Sequence, residues 1–496
     1  RSSDLNDGIF LMGQLPQKLM PVADRNQFAV EIYLPTGTAV EKTAWAADTM
    51  EQVFRKDPRV VSVTSFVGCS SPRFHTAYAP QLGGTNYAQL IVNTKGNKET
   101  EELLDEYSPR YTDAFPDVRV RFKQISFSRA VYPIELRLSG ENLDSLKTVA
   151  GKYLSLLRQM PEIQQAQTNF SEPQTSAKVV LKEDEASRLG IQNAQLETTL
   201  AMRYGDGLKV AHVWEGDYDI PVALKSEKAD CAGFSDLENE LIPVLGGTQV
   251  PLRQVAEVVP SVKDGQLVRR NGVYTITVMA DVRREVNVAS LTRVIKEKLA
   301  SIPLPEKVTL TYGGDDEQDN ENLPPIMGAL AIAAFIIFFI LLAHFRRISI
   351  ALLIFASLTL CLFGTAVGVL IQGVDFGVTC TLGIISLMGI IVRNGIIMID
   401  YAEELRATEK LCVRDAIYHS ARRRMRPIFL TSAAASMGVI PMILGKSGLW
   451  MPMGTVICYG TLITMLFLLT VLPVAYLLIF RGSTRKRARL EALENA

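Results

Sequence analysis

The composition leans toward neither sign of charge: 52 basic residues stand against 52 acidic ones. That balance removes the electrostatic case for a nucleic-acid partner. Histidine is scarce, with four residues at 75, 212, 344 and 419, far apart in the chain. No Gly-x4-Gly-Lys-Ser/Thr, His-Glu-x-x-His or Gly-x-Ser-x-Gly pattern occurs. Nothing therefore points to catalysis, and ATP-driven work by this chain itself is not expected. The six cysteines, at 69, 231, 361, 380, 412 and 458, show no C-x-x-C or metal spacing, and three fall in apolar stretches. No metal site or cofactor is expected, and Cys69 and Cys231 read as free thiols rather than a disulfide. The opening, Arg1-Ser-Ser-Asp-Leu, is polar and is followed only by the short run Ile9-Phe-Leu-Met, so no signal peptide is read there.

What is present divides in two. At 496 residues the chain exceeds one core. Residues 1–322 read as soluble protein and 323–480 mostly as membrane. Five apolar segments run near 326–343, 348–371, 377–399, 428–444 and 455–479. A helix needs roughly 20 residues to cross the hydrocarbon core. The fourth run is short but extends through Thr431-Ser-Ala-Ala-Ala-Ser, since small and hydroxyl residues suit helix contacts in lipid. Basic residues follow the first span (Arg346, Arg347), the third (from Arg406 to Arg426) and the fifth (from Arg481 to Arg489), while the second ends in Gln372-Gly-Val-Asp375. Lys and Arg mark the cytoplasmic side, so residues 1–322 lie outside the cytoplasm. Carrying them there implies a membrane helix upstream of residue 1. The loop at 401–427 holds a helical pattern that fits two placements: an amphipathic helix on the membrane surface, or a solvated helix packed on the bundle.

The outer half alternates strand and helix. Phe28–Leu34 is a strand, 40–55 a helix with Ala44, Ala47, Met50, Val53 and Phe54 on one face, and Val60–Phe66 a strand. Ala88–Val92, a helix at 98–114 and Val118–Phe122 complete a split βαβ pair. A second unit is interrupted. Its first half is Ile134–Leu138, a helix at 142–159 and Ile163–Gln167; its second is Tyr274–Met279, a helix at 286–301 and Val308–Tyr312. An insertion near 175–262 separates them. The predicted fold is thus an α+β body of two βαβ-repeat units, one carrying an inserted domain, followed by an all-α bundle of five membrane helices.

Few residues in the membrane half carry chemistry. Arg393 lies mid-span, where a charge costs at least about 2.5–3.5 kcal/mol unless it meets a partner or water. It fits either an ion-coupling site or an arginine clamping backbone carbonyls. Arginine stays charged, so it cannot carry the proton itself. Asn394 adds an amide, and Asp400 lies toward the inner margin. Arg424 and Arg426 stand where the fourth span begins, with Thr431 deeper; its hydroxyl fits a relay or a bond to its own backbone. No intramembrane carboxylate pair is present. The acidic run Asp315–Glu321 reads as a solvated linker, with cation attraction as the rarer alternative.

These residues together resemble the C-terminal half of resistance-nodulation-division efflux transporters, in the branch serving tripartite envelope pumps. The resemblance is carried by Leu15-Pro-Gln-Lys-Leu-Met-Pro-Val-Ala-Asp24, Glu31-Ile-Tyr-Leu-Pro-Thr-Gly-Thr38 and Asp184-Glu-Ala-Ser-Arg-Leu-Gly-Ile191. Its most specific motifs are Gly389-Ile-Ile-Val-Arg-Asn-Gly-Ile-Ile-Met-Ile-Asp-Tyr401 and Arg422-Arg-Arg-Met-Arg-Pro-Ile-Phe-Leu-Thr-Ser432. It implies a bacterial inner-membrane permease with residues 1–322 mostly periplasmic. Residues 1–24 would end a preceding membrane helix and linker, and 25–128 would be one porter subdomain. Residues 129–174 and 263–316 would form a second, 175–262 a docking domain, and 481–496 a basic cytoplasmic tail. Implied partners are the N-terminal half of the transporter, two further copies in a homotrimer, a periplasmic adaptor and an outer-membrane channel. Arg393, Asn394, Arg424 and Thr431 match proton-relay positions, with arginine where the family usually has lysine; the family's acidic pair belongs to a helix this chain lacks. Phe74 and Tyr78 fall in a loop, Gly68–Pro80, where the family has a substrate-contacting switch loop; an ordinary surface loop is the alternative there. The implied function is proton-coupled export of drugs or amphiphiles. The alternatives are a metal-ion exporter, which the dispersed Met20, Met50, Met160, Met202 and Met279 disfavour, or a non-transporting assembly or sensor protein.

Overall fold

The computed structural model describes residues 17–18, 20–112, 115–170, 174–205, 208–224, 226, 233–244, 247–264 and 266–494. Leu15, Pro16, Leu19 and Cys231 lie outside the described residues, and so does most of the expected 1–24 segment. The rest forms two units, Ser171–Leu267 and everything else.

In the larger unit the first sheet follows from alternation. Strand β1 (Gln27–Tyr33) turns Phe28, Val30 and Ile32 toward helices α1 (Val40–Arg55) and α2 (Asn97–Tyr111). Glu31 and Tyr33 fall on the opposite face. With β2 (Val60–Val67), β3 (Tyr87–Thr94) and β4 (Arg119–Gln124) the sheet has the order β2-β3-β1-β4, all antiparallel. Met50, Phe54, Leu103 and Leu104 fill the space between sheet and helices.

The second body begins with β5 (Ile134–Gly140), α3 (Leu143–Arg158) and β6 (Ile163–Thr168). Asn142 caps α3 by accepting from the amides of Asp144 and Ser145 at 3.0 and 3.3 Å. The chain then leaves for the smaller unit. There β7 (Gln174–Leu181) pairs with β12 (Ala256–Lys263), β8 (Leu208–Glu215) with β9 (Tyr218–Leu224), and β10 (Leu241–Pro243) with β11 (Gln249–Pro251). Helices α4 (Glu183–Arg188), α5 (Asn193–Tyr204), α6 (Phe234–Glu238) and α7 (Leu252–Val255) complete it around Ala186, Ile191, Leu196, Ile242 and Leu252.

On its return the chain forms β13 (Arg269–Arg270), β14 (Val273–Val282), α8 (Val288–Ala300) and β15 (Thr309–Gly314). β14 pairs with β5 on one side and β6 on the other, and β15 closes against β5. The connectivity repeats that of the first sheet, so the inserted unit interrupts only the connection between β6 and β14. The ladder itself is intact.

β15 runs directly into α9 (Asp315–Phe345), the first of five helices long and apolar enough to cross a membrane. The second span is α10 (Ile348–Ser357) continued by α11 (Thr359–Gln372), then come α12 (Val378–Thr408), α13 (Val413–Leu444) and α14 (Trp450–Glu494). The second span and α12 are equally enclosed, and α12 packs among α11, α13 and α14. Gly364 on α11 meets Gly460 on α14 so closely that a Cβ at 364 would stand 3.2 Å from the Gly460 Cα.

Of the two placements open for residues 401–427, the structure has the helix packed on the bundle and not a separate surface helix. These residues are the last turns of α12, a short link, and the first half of α13, which continues unbroken into the fourth span. Val413, Ala416, Ile417 and Ser420 are buried against the bundle, and Ser420 Oγ donates to the Met398 carbonyl at 2.5 Å. The acidic run at 315–321 is not a free linker. It forms the first turns of α9 and is held by three partners: Arg137 on β5 to Glu317 at 2.6 Å, Lys296 on the helix before β15 to Asp316 at 2.7 Å, and Ser128, between β4 and β5, to Asp315 at 2.6 Å. The joint turns on Gly314, whose φ of +76° suits glycine and whose added Cβ would lie 2.5 Å from the Pro133 carbonyl oxygen.

Candidate functional site

In the membrane half, Arg393 and Asn394 are adjacent on α12 but face different ways. Asn394 is buried; its Nδ2 reaches Ser432 Oγ on α13 at 3.4 Å, and its Oδ1 is enclosed with no partner among the described residues. Arg393 is exposed on the described surface of the bundle, in line with Ser386, Gly389 and Asp400, and forms no ion pair among the described residues. A guanidinium at mid-span is costly unless an anion or water meets it. Asp400 does not serve: it faces His344 Nε2 on α9 at 3.4 Å.

Arg424 and Thr431 occupy α13. The Arg424 guanidinium stacks 4.8 Å from the Tyr401 ring, and its Nε is buried without a hydrogen-bond partner among the described residues. Thr431 is exposed, and its hydroxyl donates to the Ile428 carbonyl at 3.1 Å, the local backbone bond common for threonine in such helices. The partner of Asn394 on α13 is Ser432, one residue beyond Thr431.

The loop after β2 lies over the polar face of the first sheet. Phe74 is half-buried with its ring centroid 4.8 Å from that of Tyr78. Tyr78 is 3% exposed, so it reaches inward rather than into open space. Its hydroxyl donates to Glu31 Oε1 at 2.5 Å and accepts from Gln89 Nε2 at 2.6 Å. Gln89 in turn holds the loop, its Oε1 accepting from the Ser71 amide at 2.7 Å.

Glu31 leads to a cluster that sequence reasoning did not single out. Arg121 on β4, 4% exposed, donates from Nη1 to Glu31 Oε2 at 3.0 Å. From Nε and Nη2 it grips Asp281 on β14 at 2.6 and 2.8 Å, so one guanidinium ties the first sheet to the second. Nη2 also donates to the Val131 carbonyl at 2.7 Å, and the Tyr132 ring lies 3.7 Å away. Burial by itself would raise the Glu31 pKa; the charges of Arg121 and Lys123 and the hydroxyls of Tyr78 and Tyr33 outweigh it and hold the carboxyl below its ordinary value. Burial, aided by Arg121, brings Lys123 down to about 8. The signal for this cluster was an isolated glutamate inside the apolar run Phe28–Leu34, and arginines alternating in Val118–Phe122. Their meeting depends on strand pairing and on contact between two sheets.

No three His, Cys, Asp or Glu side chains converge as a metal site among the described residues. Met50 and Met160 are buried in the two helix-covered cores. Cys69 is a free, exposed thiol.

The family model described as the AcrB/AcrD/AcrF family matches residues 5–480. Two solved structures, crystal forms II and I of a heavy metal efflux pump, are similar in fold, with TM-scores of 0.82 and 0.81 at 21% and 20% identity. Each match covers 96% of this chain but 50% or 49% of the other, so the chain spans about half the length of the pumps it resembles.

Proposed function

Because the chain belongs to the AcrB/AcrD/AcrF family of resistance-nodulation-division efflux transporters, we propose that it supplies one half of a proton-coupled pump for amphiphilic organic compounds. Arg393 carries the reading: a mid-span charge on the outer face of its own bundle, without an ion-pair partner among the described residues. In the proposal it faces carboxylates of a second half. Their protonation weakens the attraction, α12 shifts, and Asn394–Ser432 passes the shift to α13, where Arg424 and Thr431 belong to the same relay. Since α9 is continuous with β15, movement in the bundle moves the second βαβ body.

The two βαβ bodies, 25–128 and 129–174 with 263–316, serve as porter subdomains, and 175–262 as a docking domain. The assembly is a homotrimer joined to a periplasmic adaptor and an outer-membrane channel. Phe74 contacts substrate, and Tyr78 anchors the loop that carries it. The dispersal of the methionines, with Met50 and Met160 buried in the helix-covered cores, supports an organic substrate over a metal ion.

The test is export of an amphiphilic dye by cells producing the complete transporter. Arg393→Ala is expected to abolish it, and Arg393→Lys to retain part. Unchanged export in Arg393→Ala would remove Arg393 from ion coupling, and no export by the complete native transporter would favour an assembly or sensor role.

A further inference from the structure

Two groups of arginines stand at the cytoplasmic margin. Arg347 and Arg406 share Glu403, at 3.3 and 2.6 Å, with the Tyr476 hydroxyl also on that carboxylate. Arg422, Arg423, Arg424 and Arg426 on α13 have no such relief: among the described residues none forms an ion pair with a carboxylate. Arg423 Nη1 instead donates to the Tyr401 hydroxyl at 2.6 Å, and the Arg423 and Arg424 guanidinia lie 5.3 and 4.8 Å from its ring. A neutral tyrosine orients these cations without neutralising them.

The cluster borders apolar surface. Arg422, Arg423 and Arg426 are exposed, and so are Met425 (53%), Phe429 (51%) and Leu430 (59%) on the same helix. Arg426 precedes Phe429 by three residues, less than one turn. Guanidinium charge just cytoplasmic of apolar side chains is the profile of a phospholipid, phosphate outermost and acyl chains beyond it. Arginine also matches phosphate geometry by donating two parallel bonds.

We propose that Arg422, Arg423 and Arg426, with Tyr401 holding Arg423, form a binding site for the headgroup of an anionic phospholipid of the cytoplasmic leaflet, its chains lying on Phe429 and Leu430. The site is independent of the export reading and does not involve Arg393.

The test is native mass spectrometry of the complete protein in mild detergent, titrated with phosphatidylglycerol or with phosphatidylcholine of the same chains. Phosphatidylglycerol is expected to be retained in preference by roughly a hundredfold, falling by roughly fivefold for each arginine replaced in Arg422→Gln, Arg423→Gln and Arg426→Gln. Arg426→Gln alone, at an exposed position, serves should the triple variant fail to fold, and lysine at the same three positions is expected to keep an intermediate preference. Equal retention of the two lipids, or an unchanged preference in the glutamine variants, would overturn the site. Loss of the preference in millimolar inorganic phosphate would overturn the lipid assignment and indicate a soluble anion.

Discussion

Arg121 has its guanidinium nitrogens on Glu31, Asp281 and the Val131 carbonyl, so removing it strands two carboxylates in a buried place. Arg121→Leu is expected to cost about 3–5 kcal/mol, read from denaturant unfolding of the full chain. Arg121→Lys would restore little, because an ammonium does not bridge three acceptors in one plane. The pH dependence has two signs. Glu31 has a lowered pKa in the folded state, so its contribution is complete above its unfolded value of 4.5 and fades as pH falls through the folded one. Lys123 is depressed from 10.5 to about 8, so between those values the unfolded chain binds more protons and stability rises with pH. Unfolding midpoints of the native protein and Lys123→Met, followed from pH 7 to 10.5, are expected to shift in favour of the native protein above pH 8. Tyr78→Phe leaves Gln89 Nε2 without its acceptor and Glu31 one donor short, at a cost of roughly 1–3 kcal/mol.

Regular elements were legible wherever periodicity alone determines them. The alternation of Phe28, Val30 and Ile32 and the stripe through Ala47, Met50 and Phe54 place β1 and α1 within a residue of their observed ends. The membrane helices were legible in their apolar centres but not at their margins. Hydropathy stops at the first charges, whereas hydrogen bonding carries α12 on to Thr408 and α13 back to Val413. The acidic start of α9 was misread for the same reason: its partners Arg137, Lys296 and Ser128 are distant in sequence. The charged cluster at Arg121 was hidden because strand charges facing away from the helices read as solvated, and only contact between two sheets buries them. Of the site residues, Arg393 was legible as a mid-span charge, while the choice of Ser432 over Thr431 as the contact of Asn394 needed helix rotation. At the joint of sheet and span, Gly314→Ala is expected to cost roughly 1–3 kcal/mol in thermal unfolding, from strain at positive φ and the nearby Pro133 carbonyl.

The whole molecule brings together features that periodicity keeps apart. Arg393 lies on an outer face of the bundle, the second βαβ body is fastened to α9, and Arg121 fastens that body to the first. In the proposed coupling, these contacts would carry movement from a mid-membrane charge to the loop that holds Phe74. The path makes coupling, rather than mere presence of transport, the claim to test. The most direct measurement records proton influx and efflux of an amphiphilic dye together, in proteoliposomes containing the complete transporter under an imposed pH gradient. The two fluxes are expected to rise and fall in fixed ratio, and Arg393→Ala to abolish both. Dye efflux that persists without a gradient, or that survives Arg393→Ala with its proton flux lost, would contradict the account.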